Sequence, residues 1–104
     1  MNEIQREVDR LVREFGGYWE PFEMLAAAME ELGELAREML ELQGVKGQGD
    51  RKRLEEELGD LLFSVSCIAN FYGVDIFEAL RKSISKYRER DSGRWLKHGT
   101  ENLK

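Results

Sequence analysis

Two phrases in this sequence nearly coincide. Residues 30–35 read Glu-Glu-Leu-Gly-Glu-Leu, and residues 56–61 read Glu-Glu-Leu-Gly-Asp-Leu. Each places two carboxylates three residues apart, Glu31 with Glu34 and Glu57 with Asp60. On a helix that spacing stacks both acids on one face, a turn apart. Two such faces turned toward each other make a pocket of four carboxylates. Such a pocket repels itself unless a hard cation occupies it.

The rest of the chain is patterned to supply those helices. Apolar residues recur at helical spacing, and no alternating β-branched run suggests a strand. Helix 1 is expected over 2–15, with Ile4, Val8, Leu11, Val12 and Phe15 on one stripe, and Gly16-Gly17 stops it. Helix 2 opens at Pro21, a residue suited to a first turn, and runs to 43 with Leu25, Met29, Leu32, Ala36 and Met39 turned inward. Residues 44–49 read as a Gly-rich connector. Asp50 caps helix 3, which carries Leu54, Leu58, Leu61, Leu62, Val65 and Ile68 to 72, where Gly73 ends it. Asp75 and Glu78 form a capping-box pattern for helix 4, over 76–90, burying Ile76, Phe77, Leu80 and Ile84. The tail, 91–104, reads as irregular. The expected fold is all-α, one domain over 1–104, a four-helix bundle completed by a second copy, because so small a chain builds little core alone.

Composition narrows the function. A net charge of −5 argues against nucleic acid as the main partner. Lone Cys67 excludes an intrachain disulfide framework, and lone His98 excludes a Cys/His zinc cage within one chain. The first residues lack the apolar centre of a signal peptide, and no apolar run approaches membrane-spanning length. A soluble cytoplasmic protein without a membrane partner is therefore expected.

Glutamates on helices ordinarily face water. Three features weigh against that here. Glu30, Glu34 and Glu38 follow one another at four-residue steps, like charges where a surface helix would place Lys or Arg. Gly33 and Gly59 sit at matching places inside both helices, each costing about 1 kcal/mol relative to alanine, as if another backbone had to approach closely. The third is register. In an antiparallel hairpin folded about Val45 and Lys46, residues at one level have numbers adding to 91; Glu31 then faces Asp60, and Glu34 faces Glu57. A divalent cation such as Mg2+, or Mn2+ in its stead, resolves the repulsion. No Glu-x-x-His step supports a di-iron site.

These two helices, with Lys86-Tyr87-x-x-Arg90 and Arg90-Asp91-x-x-Arg94-Trp95 further on, closely resemble the MazG-like all-α nucleoside triphosphate pyrophosphohydrolases, in their short single-domain form. The resemblance spans about residues 3–95. It implies Mg2+-dependent hydrolysis of a nucleoside triphosphate between the α and β phosphates. Glu31, Glu34, Glu57 and Asp60 would be metal ligands. One acid, Glu34 ahead of Glu31, would instead orient or deprotonate the attacking water. Lys86 and Arg90 would hold phosphate oxygens. Some relatives have an asparagine where this chain has Ile84.

Tyr18, Trp19 and Phe22 precede helix 2 and either stack on a nucleobase or cap the bundle; the resemblance favours Trp19 for the base. Asn70 is expected to make a helix–helix hydrogen bond, and Cys67 to be buried packing. Arg94, Trp95 and Lys97 in the tail would close over substrate or pack on another subunit. Apolar residues on more than one face of helices 2 and 3 point to a homodimer or a dimer of dimers. The rival reading is a non-catalytic helical module that uses the acids to bind metal.

Overall fold

The computed structural model describes residues 1–44 and 49–102, with side chains through residue 90 on either side of that gap. The expected loop centre, Val45 and Lys46, and the tail side chains Arg94, Trp95 and Lys97 lie outside the described residues. Four helices follow one another: α1 (Glu3–Glu14), α2 (Pro21–Leu42), α3 (Arg51–Phe71) and α4 (Ile76–Asn102), and no strand occurs among the described residues. No single helix is long and apolar enough to cross a membrane.

Local chemistry sets the boundaries. Asn2 caps α1 by accepting from Gln5 N at 2.8 Å. Pro21 takes the first turn of α2, and Glu23 reaches back to accept from Glu20 N. Asp50 accepts from Lys52 N, and Asp75 from Glu78 N. The expected capping box at α4 is only half made, because the Glu78 carboxylate pairs with Arg81 at 2.6 Å. Gly73, at φ +68°, closes α3 while Val74 N donates back to Ala69 O, the paired turn that a left-handed residue permits. One boundary was misplaced by the sequence pattern. Helix α4 continues through the supposedly irregular tail to Asn102. Arg88, Glu89 and Arg90 are good helix formers, no proline follows them, and lone glycines at 93 and 99 only weaken a helix.

Helices α2 and α3 form the expected antiparallel hairpin, and α1 packs on α3. Helix α4 leaves α3 at 99° and makes few contacts with the other helices. One chain is therefore not the compact bundle its short links suggest. Its radius of gyration is 16.9 Å, against about 13 Å for a compact chain of this length.

The distribution of side chains explains this shape. Among the described residues, the buried apolar side chains are Val8, Met24 and Ala69. The stripe expected to face inward on α2 does the opposite: Leu25, Met29, Leu32 and Met39 are all exposed. So are Leu58, Leu62 and Val65 on α3, and Phe77, Leu80 and Ile84 on α4. What α2 turns toward α3 is Met24, Ala27, Glu31, Leu35 and Glu38, spaced three or four apart. The hairpin wins its register from the face that bears the acids, and leaves its apolar face outside.

Gly33 and Gly59 also differ from expectation. A Cβ at either position would meet nothing within 4 Å, so neither serves a close approach within the chain. Gly49 does: a Cβ there would collide with the backbone of Leu42.

Candidate active site

The hairpin register can be read directly from contacts. Arg53 Nε lies 3.5 Å from Glu38 Oε1, and Gly49 abuts Leu42. In both pairs the residue numbers add to 91, the value that places Glu31 opposite Asp60.

Carboxylate oxygens of Glu31, Glu57 and Asp60 lie within 4.8 Å of one another. Glu31 and Glu57 are half-buried, while Asp60 is exposed. Three of the four sequence-designated acids thus converge. Glu34 stands just outside the group, its Oε2 3.1 Å from Arg37. It is still near enough to act on Glu57. The Glu57 carboxyl is pushed above its ordinary value, first by partial loss of water and then by the charges of Asp60, Glu34, Glu31 and Glu38. Three carboxylates at this separation form an oxygen donor set that fits a hard divalent cation.

Next to the acids lies a cavity of roughly 350 Å³, mostly apolar, between the α1–α2 connection and α3. Trp19, Tyr18 and Phe15 form its aromatic side, Phe63 and Cys67 face them from α3, and Glu31 lies on its wall. Cys67 is half-buried and lines this space rather than filling a core, and burial raises its thiol pKa. Tyr18 donates to Asp9 at 2.5 Å, and its phenol is pushed up to about 12 by burial and by that bond. Asp9 is held below the usual carboxylate range by Tyr18 and then by Arg13. The Tyr18 hydroxyl is thus engaged at the back of the cavity, whereas Trp19, 64% exposed, stands at the rim. The sequence did not identify Phe63, Ser64 or Cys67 as cavity residues. Their spacing of one and four from Phe63 places them on one helix face beyond Asp60.

Lys86 and Arg90 are exposed on α4, gathered on Tyr87, whose ring centroid is 4.9 Å from Lys86 Nζ and 5.7 Å from the Arg90 guanidinium. They do not join the acids of their own chain. From Asp60, α3 runs eleven residues to its end, and α4 then turns by 99°, so Lys86 lies on the order of 25 Å from Asp60 at 1.5 Å of rise per residue. Asn70 makes the helix–helix bond expected of it, with Gln5 at 2.9 Å.

The sequence and the fold are similar to those of known proteins. The MazG nucleotide pyrophosphohydrolase domain matches residues 20–95. The uncharacterized protein YpjD of Bacillus subtilis is 43% identical over 101 residues, which cover 93% of this chain and 91% of that protein. The nucleoside triphosphate pyrophosphohydrolase/pyrophosphatase MazG of Thermotoga maritima is 48% identical over 50 residues, 48% of this chain but 20% of that protein. Two crystal structures superpose with a TM-score of 0.74. YpjD from Bacillus subtilis does so at 43% identity, over 82% of this chain and 91% of that one. The Bacillus-conserved MazG protein, a nucleotide pyrophosphohydrolase, does so at 39% identity, over 86% and 90%.

Proposed function

The chain belongs to the MazG nucleotide pyrophosphohydrolase family, and from that premise we propose that it hydrolyses a nucleoside triphosphate between the α and β phosphates, releasing the monophosphate and pyrophosphate in the cytoplasm. The observation that carries this reading is the double position of Glu31. It belongs to the acid triad and to the wall of the aromatic cavity. A nucleotide whose base enters the cavity beside Trp19 has its phosphates next to the triad. The lining is mostly apolar, so a base is held there by its flat face rather than by its edge.

Glu31, Glu57 and Asp60 would hold Mg2+, or Mn2+ in its place, with Glu34 adjoining. Bound there, the cation supplies charge neutralisation on the phosphate oxygens and acidifies a water. Glu34, oriented by Arg37, accepts the proton of the attacking water as the phosphoanhydride bond breaks and pyrophosphate leaves. Lys86 and Arg90 hold the leaving phosphates as charge builds there. Since they stand far from the acids of their own chain, they act at the site of a second copy, in a homodimer or a dimer of dimers. The exposed apolar faces of α2, α3 and α4 support that assembly.

A panel of standard and modified triphosphates with Mg2+, scored for products, tests the assignment. Monophosphate with pyrophosphate is expected. Diphosphate with orthophosphate would refute the assigned bond, and full activity in Asp60→Asn would refute the site.

A further inference from the structure

Gln5 is the most deeply buried side chain described, 1% exposed, and it sits far from the acids. Its amide is used completely. Nε2 donates to Asn70 Oδ1 at 2.9 Å and to Val74 O at 2.8 Å. Oε1 accepts from Asn2 Nδ2 at 2.6 Å and from Ile76 N at 2.8 Å. Asn70 returns a bond from Nδ2 to Gln5 O at 2.9 Å. Val74 lies in the link between α3 and α4, and Ile76 N is the first α4 amide, which no helical carbonyl can satisfy. Gln5 therefore grips both sides of the link, from a helix that belongs to neither arm.

Such a clamp matters because within one chain α4 makes few contacts with the other helices. Arg90 lies fourteen residues beyond Ile76, about 21 Å along the helix. A 10° change at the link would carry its Cα about 3.7 Å, on a lever of 1.5 Å per residue. That exceeds the spread of donor–acceptor distances over which a hydrogen bond survives.

We propose that Gln5, with Asn70, is a positioning residue for the cationic face of α4: by fixing the angle at which α4 leaves α3, it sets where Lys86 and Arg90 meet the triphosphate. The inference rests on the reading above, in which those two side chains hold phosphate. Gln5 touches neither substrate nor metal, so its loss acts through geometry alone.

A double-mutant cycle between Gln5→Met and Lys86→Ala, on the full chain, tests this. Methionine keeps the volume and removes all four amide bonds. Gln5→Met is expected to keep wild-type Mn2+ affinity, read by electron paramagnetic resonance, and wild-type sedimentation, while KM for the triphosphate rises at least tenfold. Lys86→Ala should raise KM too, and the double variant should be little worse than either alone. Effects on KM that multiply, or a loss of Mn2+ affinity alongside KM, would overturn the clamp and leave Gln5 a folding residue. An unchanged KM in Lys86→Ala would instead sink the phosphate assignment itself. Should Gln5→Met fail to fold, Gln5→Glu, which keeps the acceptor for Ile76 N and Asn2 Nδ2 and loses the donors to Asn70 Oδ1 and Val74 O, must show the same KM rise at constant Mn2+ affinity, or the proposal falls.

Discussion

Dilution should unfold this protein. Its accessible surface is 8509 Å², whereas a compact monomer of 12.1 kDa exposes about 6,000 Å². The excess of roughly 2,500 Å² per chain is surface that a second copy can cover. Much of it is apolar, from Leu25, Met29 and Leu32 on α2 to Leu80 and Ile84 on α4. If folding and association are one transition, each tenfold dilution removes about 1.4 kcal/mol of stability. Two chains of 104 residues unfold with about 0.44 kcal/mol/K of entropy, so Tm should fall by roughly 3 °C per decade. Circular dichroism melts across a hundredfold range read this directly. Leu62→Glu sharpens the test. In a lone chain that side chain is 56% exposed, and such a change costs at most about 0.5 kcal/mol. Within an interface it would strand a charge and shift the chain toward unfolded monomer. A folded, active particle of 12.1 kDa at micromolar concentration, with a Tm indifferent to dilution and to Leu62→Glu, would refute the reasoning.

Other outcomes follow from the site and the hairpin. Because the Glu57 carboxyl is raised in the fold, the stability it contributes is present below the ordinary glutamate value of 4.5 and lost as pH rises through the folded value. Urea titrations in chelator should show that fall, and Mn2+ or Glu57→Gln should remove it. Gly49→Ala forces a Cβ into the Leu42 backbone and should cost about 1–3 kcal/mol in the same assay. Tyr18 should ionise at about 12 in an ultraviolet titration, and Asp9→Asn should lower that value. Cys67 should react slowly with thiol reagents near pH 8, its thiol being raised by burial, and a bound triphosphate should slow it further by filling the cavity it lines.

What the sequence conveyed well was local. Pro21, Asp50, Gly73 and Asp75 mark helix ends by chemistry that acts over three or four residues, and all four lie where the structure uses them. The hairpin register was legible for a different reason. Charges that must face each other leave a number pattern that a ruler can find, and Glu31 and Asp60 obey it. Inside and outside were not legible. Apolar periodicity reports that a face is hidden but not what hides it, so Leu25, Met29 and Leu32 read as a core when they are this chain's outer wall. Helix α4 shows the same limit: its apolar stripe suggests a fourth bundle member, and only the 99° turn reveals that it leaves. Gln5 gave no signal at all, since a glutamine on a short charged helix is ordinarily surface.

The place of Glu31 between cavity and acids has a kinetic consequence. In the proposed reaction a base that seats badly would displace the wall it rests on, and that wall would also be a donor to the reacting end. Discrimination between nucleotides should then appear in turnover as well as in affinity, because a poor fit misaligns chemistry some distance from the base. An enzyme built this way rejects a wrong substrate by failing to cut it, even after it has been bound.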